Sequence, residues 1–338
     1  MPRRLYVLTV LALAAGLFLP SGPLAAQQSV PVRAAPVAAF DEDDPTGTVF
    51  GGVRFLGGIQ LDSTDDRFGG LSGVEISPDG RKVLFVSDVG DLFSATLDYD
   101  GGVLAGLSDV AIHRLVGTGG ERLGSKESSD AESLRSASGR GLSGRILVGF
   151  ERDNRVLDYA IDEAGRPHGA TRLPLPASAA DLPYNQGFEA IAVVPPGAPN
   201  AGAVLVFAES ERPGSPGVVP GWMIADGKVR DIGLERTSGF DVTDAIALPN
   251  GDLIVLERQF SLLLGVAMRL RRIPAAALDG PQPMDGKTLL TAGMAHAIDN
   301  MEGLAVHTDT QGRTILTIVS DDNFNVLQRT LILQFELL

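Results

Sequence analysis

One phrase, written five times, limits what this chain can fold into. An apolar run opens on an acidic or hydroxyl residue, and a second apolar run 13 to 20 residues later ends on another acid. The copies are GLSGVEIS…VLFVSD (Ser72, Asp88), DAESLRSA…ILVGFER (Glu132, Glu151), GFEAIAVV…VLVFAES (Glu189, Glu209), DVTDAIAL…LIVLER (Asp244, Glu257) and NMEGLAVH…LTIVSD (Glu302, Asp321). The opening residues stand 60, 57, 55 and 58 positions apart, a period that belongs to repeated structural units.

Each repeat divides into four short apolar strands at turn signals such as PDG (Pro78 to Gly80), YDGG (Tyr99 to Gly102) and PNGD (Pro249 to Asp252). The fifth repeat has only three, MEGLAVH, TILTIVSD and TLILQFEL, before the sequence stops. The segment TVFGGVRFLGGIQL (Thr48 to Leu61) has no partner of its own and precedes a first strand, as the fourth strands do. The expected fold is therefore all-β: a β-propeller of five four-stranded blades, closed by joining N- and C-terminal strands in one blade. Such closure removes the sheet edges that invite aggregation. Six blades is the alternative, if Val103 to Asp130 holds a further unit. An open β-solenoid would also repeat, with a shorter period and one rung per repeat.

Residues 1–26 read as a secretory signal peptide: Arg3 and Arg4, an apolar core from Leu5 to Leu19, and LAA at Leu24 to Ala26 as a cleavage site. That core is shorter than the ~20 residues a membrane span needs. The expected location is periplasmic or secreted, with the Sec and twin-arginine routes both open. Residues 27–47, rich in Ala, Pro and acids, read as a flexible leader before a propeller domain at 48–338. Without the signal the chain has 26 basic against 42 acidic residues, which argues against nucleic acid as a partner. The absence of cysteine excludes disulfides, thiolate metal sites and a cysteine nucleophile. A soluble monomer with no membrane span in the mature chain is expected.

In a propeller the first strands line a central channel, so equivalent residues of successive repeats form a ring. Glu132, Glu189, Asp244 and Glu302 are expected in one ring, with Ser72 its neutral member. Asp88, Glu151, Glu209, Glu257 and Asp321 are expected as a second rank, Glu211 competing with Glu209 for its place. Converging carboxylates need a cation, basic partners or raised pKa values. A hard divalent ion, calcium above all, suits oxygen ligands such as Glu132, Glu189, Asp244, Glu302, Asp88 and Asp321, with Asn185 and Asn300 near enough to add carbonyl oxygens. The bland reading is that these acids cap turns or tie blades together. Arg152, Arg212 and Arg258 follow second-rank acids; they could meet an anionic substrate or serve in salt bridges. The loop from His113 to Asp130, carrying Arg122 and Lys126, is the candidate lid. No G-x-S-x-G elbow and no histidine spaced to serve Ser72 support a serine triad.

The phrases FGGLSGVEISPDGRKVLFVSDVGDLF, NQGFEAIAVVP, DAIALPNGDLIVLERQFS and DNMEGLAV resemble the phytase-like domain family, whose bacterial members carry the label esterase-like activity of phytase. The resemblance spans roughly Val49 to Leu338 and implies a propeller that hydrolyses esters or phosphoesters. Its matching positions are Ser72, Asp88, Glu189, Asp244, Glu257 and Glu302. The acidic and lysine-rich phrases of calcium-dependent propeller phytases are absent. Three functions follow as expectations. The first is a metal-dependent hydrolase of small phosphoesters or carboxyl esters, with Glu189, Glu302, Asp244 and Glu257 catalytic and Arg152, Arg258 and Ser72 on the substrate. The second is a non-catalytic binding propeller with structural calcium. The third is a calcium-dependent lactonase-like enzyme.

Overall fold

The computed structural model describes residues 28–338 apart from 140, 143, 180, 181, 213 and 262–264. The expected signal peptide lies outside the described residues. Five antiparallel sheets follow one another along the chain. From the axis outward, blade one is Leu71–Ile76, Lys82–Ser87, Asp91–Asp100 and Val103–Arg114; blade two is Ala131–Ser136, Arg145–Phe150, Arg155–Ile161 and Pro167–Arg172. Blade three is Phe188–Val193, Val204–Ala208, Val218–Ala225 and Lys228–Glu235; blade four is Asp241–Ala247, Leu253–Ser261, Gly265–Ile273 and Lys287–Ala292. Blade five has Asn300–Thr308, Thr314–Asp321 and Thr330–Leu337, and its fourth strand is Val53–Ser63 from the other end of the chain. The register pairs Ile332 with Ile59 and Leu337 with Val53.

Five blades, not six, is the count. The stretch from Val103 to Asp130 is the long outer strand of blade one, a loop, and the single helical turn Lys126–Ser129. The segment expected as a flexible leader contributes two paired strands. Gln28–Ser29 adds to the edge of blade one, and Val32–Val37 pairs with Val53–Ser63 at the edge of blade five. This strand has no apolar periodicity to announce it, because it lies on a sheet edge with four of its six residues exposed. Among the described residues, no helix is long and apolar enough to cross a membrane.

The inner strands Leu71–Ile76 and Phe188–Val193 are buried throughout, so they read as continuous small and apolar runs rather than alternating ones. Each inner strand packs against those of both neighbouring blades, blade five against blade one included. The core lies in the interblade layers. Phe188 of blade three meets Trp222 edge-on with centroids 5.6 Å apart, and Phe40, ahead of blade five, is enclosed by Phe50, Phe55 and Phe335. Because all first strands run the same way along the axis, their starts and the ends of all second strands meet at one mouth of the channel.

Candidate functional site

A β-bulge opens every blade. The ladders between first and second strands each skip one residue: Ser72, Glu132, Glu189, Thr243 and Glu302. A bulged residue is left out of the ladder and re-aimed, a device common beside active sites. The ring therefore reads Ser, Glu, Glu, Thr, Glu, and its fourth member is Thr243 rather than Asp244. Ser72 Oγ donates to the Ala131 carbonyl at 2.5 Å, and Thr243 Oγ1 donates to the Met301 carbonyl at 3.1 Å. Those carbonyls are equivalent, each just ahead of the next blade's bulge, so the two hydroxyls tie neighbouring blades while the three glutamates are left to face the channel.

The second rank shifts in the same blade. Asp88, Glu151 and Glu209 bond through their backbone N–H to the residue two before each bulge, and Arg258 and Asp321 stand opposite the corresponding Asp241 and Asn300. The second rank is thus Asp88, Glu151, Glu209, Arg258 and Asp321, with one cation among four acids. Glu257 points the other way, as strand alternation requires. It is buried between Arg269 and Arg271 of the adjoining strand, each at 2.7 Å. Asp244 is also turned away from the mouth. It is fully buried and binds Arg135 Nη2 at 2.7 and 2.8 Å and the Leu304 and Ala245 N–H groups at 2.8 Å.

Arg135 is the hub of the channel. Its guanidinium, 2% exposed, donates to the Ile191 carbonyl at 2.8 Å, the Leu304 carbonyl at 2.9 Å, the Val74 carbonyl at 3.4 Å and the Asp244 carboxylate. From blade two it thereby reaches all four other blades. Beneath it Glu75 accepts from Ser136 N–H at 2.7 Å and Ile76 N–H at 3.0 Å, and burial holds its carboxyl above the usual range. Neither residue belongs to the expected set. In sequence each looks like an ordinary charged residue of a half-exposed strand.

Above Arg135 the acids converge. Two trios have ligand atoms mutually within 4.8 Å, Asp130 with Glu132 and Glu151, and Glu151 with Glu189 and Glu209. Glu189 is 8% exposed, and among the described residues no N–H or O–H group donates to its carboxylate. Burial and then the Glu209 charge push Glu189 well above the carboxylate range; burial and then Glu189 do the same to Glu132. Burial, with Asp130 adding repulsion, pushes Glu151 up to about 7, and burial takes Glu209 to about 7 despite Arg258. Asp130, two residues ahead of the bulge, was not among the expected ligands; its counterparts are Gly70, Gly187, Asp241 and Asn300.

Cations border this cluster on two sides. Arg258 binds Glu302 Oε1 at 2.7 Å, Glu209 Oε1 at 3.3 Å and the Asn300 side-chain carbonyl. Asn300 Nδ2 donates to the same Glu302 oxygen at 2.8 Å, and among the described residues Glu302 Oε2 has no donor. Burial raises Glu302, and burial with the Glu302 charge raises Asp321 to about 8. On the other side Lys126 bonds Asp88 Oδ2 at 2.8 Å and pairs with Asp130. Burial alone would lower the Lys126 ammonium, but its hydrogen bonds to Asp130 and Asp88 leave it raised. Burial raises Asp88 in turn. Arg152 reaches Asp130 at 2.5 Å, Asn185 Oδ1 at 2.9 Å and the Tyr184 hydroxyl at 2.5 Å. Arg122 is not at the mouth's acids; it pairs through its backbone with Val116. Arg212 lies over Trp222, 5.7 Å from the ring centre.

A glycine makes room for one acid. Gly70 adopts φ +62°, and a Cβ there would collide with Asp88 Oδ1 and the Phe324 ring.

No curated protein sequence matches at a significant level. Among solved structures, a luciferin-regenerating enzyme is similar with a TM-score of 0.43 and 11% identity, covering 79% of this chain and 92% of that one. The Swd1 β-propeller domain of Myceliophteria thermophila gives a TM-score of 0.39 and 10% identity, covering 93% and 98%. The sequence matches the phytase-like family, described as esterase-like activity of phytase, over residues 66–324, from just ahead of the first inner strand to beyond the last acid of the second rank. The chain belongs to the phytase-like family.

Proposed function

We propose that this protein is a divalent-cation-dependent hydrolase of phosphoesters or carboxyl esters, acting at the channel mouth where the two acid trios meet. The observation that carries the reading is Glu189: a buried carboxylate with no donor among the described residues, in a trio that Glu151 joins to a second one, and a cation would favour the ionised form of both. The donor set, oxygen atoms only, fits a hard ion such as calcium. Asp130, Glu132, Glu151, Glu189 and Glu209 would hold it. When bound, it supplies a Lewis acid that polarises an ester oxygen and acidifies water.

This chain's own residues then have separate tasks. Glu302 is fixed by Arg258 and Asn300 through one oxygen, so Oε2 is free to take a proton from water as its oxygen bonds to phosphorus or the acyl carbon. The ester bond breaks and the alcohol leaves with that proton. Arg258 offsets charge that builds on the reacting group. Asp244 and Glu257, held in ion pairs with arginines away from the mouth, are assigned no chemical step. Ser72, committed to a carbonyl of blade two, is assigned no substrate contact.

The protein acts as an exported monomer on small molecules in this reading, in keeping with the apolar, arginine-led N-terminal sequence. A second reading has one observation in its favour. Glu151 of blade two is shared with Glu189 and Glu209 of blade three, so a cation there would clamp two blades in a non-catalytic binding propeller. The deciding assay follows release of nitrophenol from p-nitrophenyl phosphate and p-nitrophenyl acetate, with calcium or chelator, by the wild type, Glu189→Gln and Glu302→Gln. Cation-dependent turnover reduced about 100-fold or more in both variants is expected. Background rates in every arm, with a melting temperature that still falls on chelation, would establish the clamp instead.

A further inference from the structure

Beside the acid cluster lies a cleft of about 900 Å³ at the top of blades four and five. Arg258 and Asn300 line the cleft and also hold Glu302, so the cleft adjoins the cluster. The cleft is two-natured. Arg236, Arg258 and Arg329 line it beside Asp241 and Asp299; Arg236 pairs with Asp241 and Arg258 with Glu302 and Glu209, which leaves Arg329 the least engaged of the three. Arg329 spends one amino group on the Ile298 carbonyl at 2.6 Å; its backbone N–H donates to Asp299 Oδ2 at 3.1 Å, its Nε reaches that oxygen only at 3.5 Å, and its Nη1 has no acceptor among the described residues. Opposite these charges stand Phe260, Met294 and Leu327, which are 69%, 64% and 86% exposed. Large apolar side chains this open, gathered in one concavity, mark a binding surface rather than scatter.

We infer that the substrate is an anionic amphiphile: an ester, a phosphomonoester above all, of an alkyl or aryl alcohol, taken up one molecule at a time. Its anionic group lies at Arg258 and Arg329, and its apolar part covers Phe260, Met294 and Leu327. A free headgroup and a membrane lipid share this chemistry. The concave shape and the strongly acidic whole molecule, which an anionic bilayer repels, favour the dispersed molecule. The inference takes its place from the hydrolase reading, but binding tests it without turnover.

Calorimetry with octyl phosphate below its aggregation limit, and with inorganic phosphate, gives the measurement. The wild type is expected to bind octyl phosphate roughly tenfold or more tightly than phosphate, a preference set by apolar burial and lost in the doubly substituted Phe260→Ser, Leu327→Ser protein. Both residues are exposed, so the variant should fold. Equal affinities in the wild type, or a preference that survives the double substitution, overturns the inference. So does sedimentation with phosphatidylglycerol vesicles that the same substitutions abolish, which would make the apolar rim a membrane contact. Absence of turnover on any ester would overturn the hydrolase reading alone and leave this binding result standing.

Discussion

Asp244 and Glu257 show how far a single residue carries in a strand. Both are acids of the fourth phrase, and both stand one position from where the other blades place theirs. A shift of one turns a side chain to the opposite face. The sequence makes the phrase legible, and with it Glu132, Glu189 and Glu302, but not which residue of Val-Thr-Asp is bulged. Thr243 and Arg258 were the better members, and the hydroxyl of Ser72 was the hint that Thr243 could take an acid's place. Arg135 was invisible because its importance lies in carbonyls brought together only by closure. Arg135→Met is expected to destabilise the protein by about 3–5 kcal/mol in urea unfolding, since it strands the buried Asp244 carboxylate. Pairing it with Asp244→Asn should recover part of that loss; strict additivity would show that the two residues are not coupled.

At the scale of the element, the strands announce themselves wherever both faces are apolar and fall silent at edges. The four-strand parsing of each blade needed only short apolar runs and turn residues. The contribution of residues 28–47 was not legible, because Val32–Val37 is an exposed edge strand and Phe40 follows it as an isolated aromatic. Phe40 is fully buried among three other phenylalanines. Replacing it by alanine is expected to cost about 3–5 kcal/mol, whereas a chain beginning at residue 39 should lose less. A smaller loss for Phe40→Ala than for the truncation would show that strand pairing, not the aromatic cluster, fastens this segment. The candidate lid proved to be a loop ending in one helical turn, Lys126–Ser129, and only Lys126 reaches the acids. Lys126→Met should leave Asp88 without its cation and Asp130 with Arg152 alone. Calcium is then expected to raise the melting temperature of this variant by more than it raises that of the wild type; an equal rise would mean that the lysine does not share the acids with a metal.

For the whole molecule, closure concentrates charge at one mouth of the channel, and pH reports it. Glu151 and Glu209 at about 7 and Asp321 at about 8 have pKa values above those of an unfolded chain. Between roughly pH 4.5 and 8 the folded protein therefore binds more protons than the unfolded one, and stability falls as pH rises through that window. In chelator the melting temperature should decline by several degrees from pH 5 to 8. A flat or rising profile would show that these acids are ionised without strain. A divalent cation favours their ionised form, so its effect should be largest at pH 8. The most direct test of the account is calcium calorimetry at pH 8 on the wild type and on Glu151→Gln, the acid common to both trios. Saturable binding that weakens about 100-fold in the variant is expected, and equal binding by the two proteins would contradict a cation held at the channel mouth.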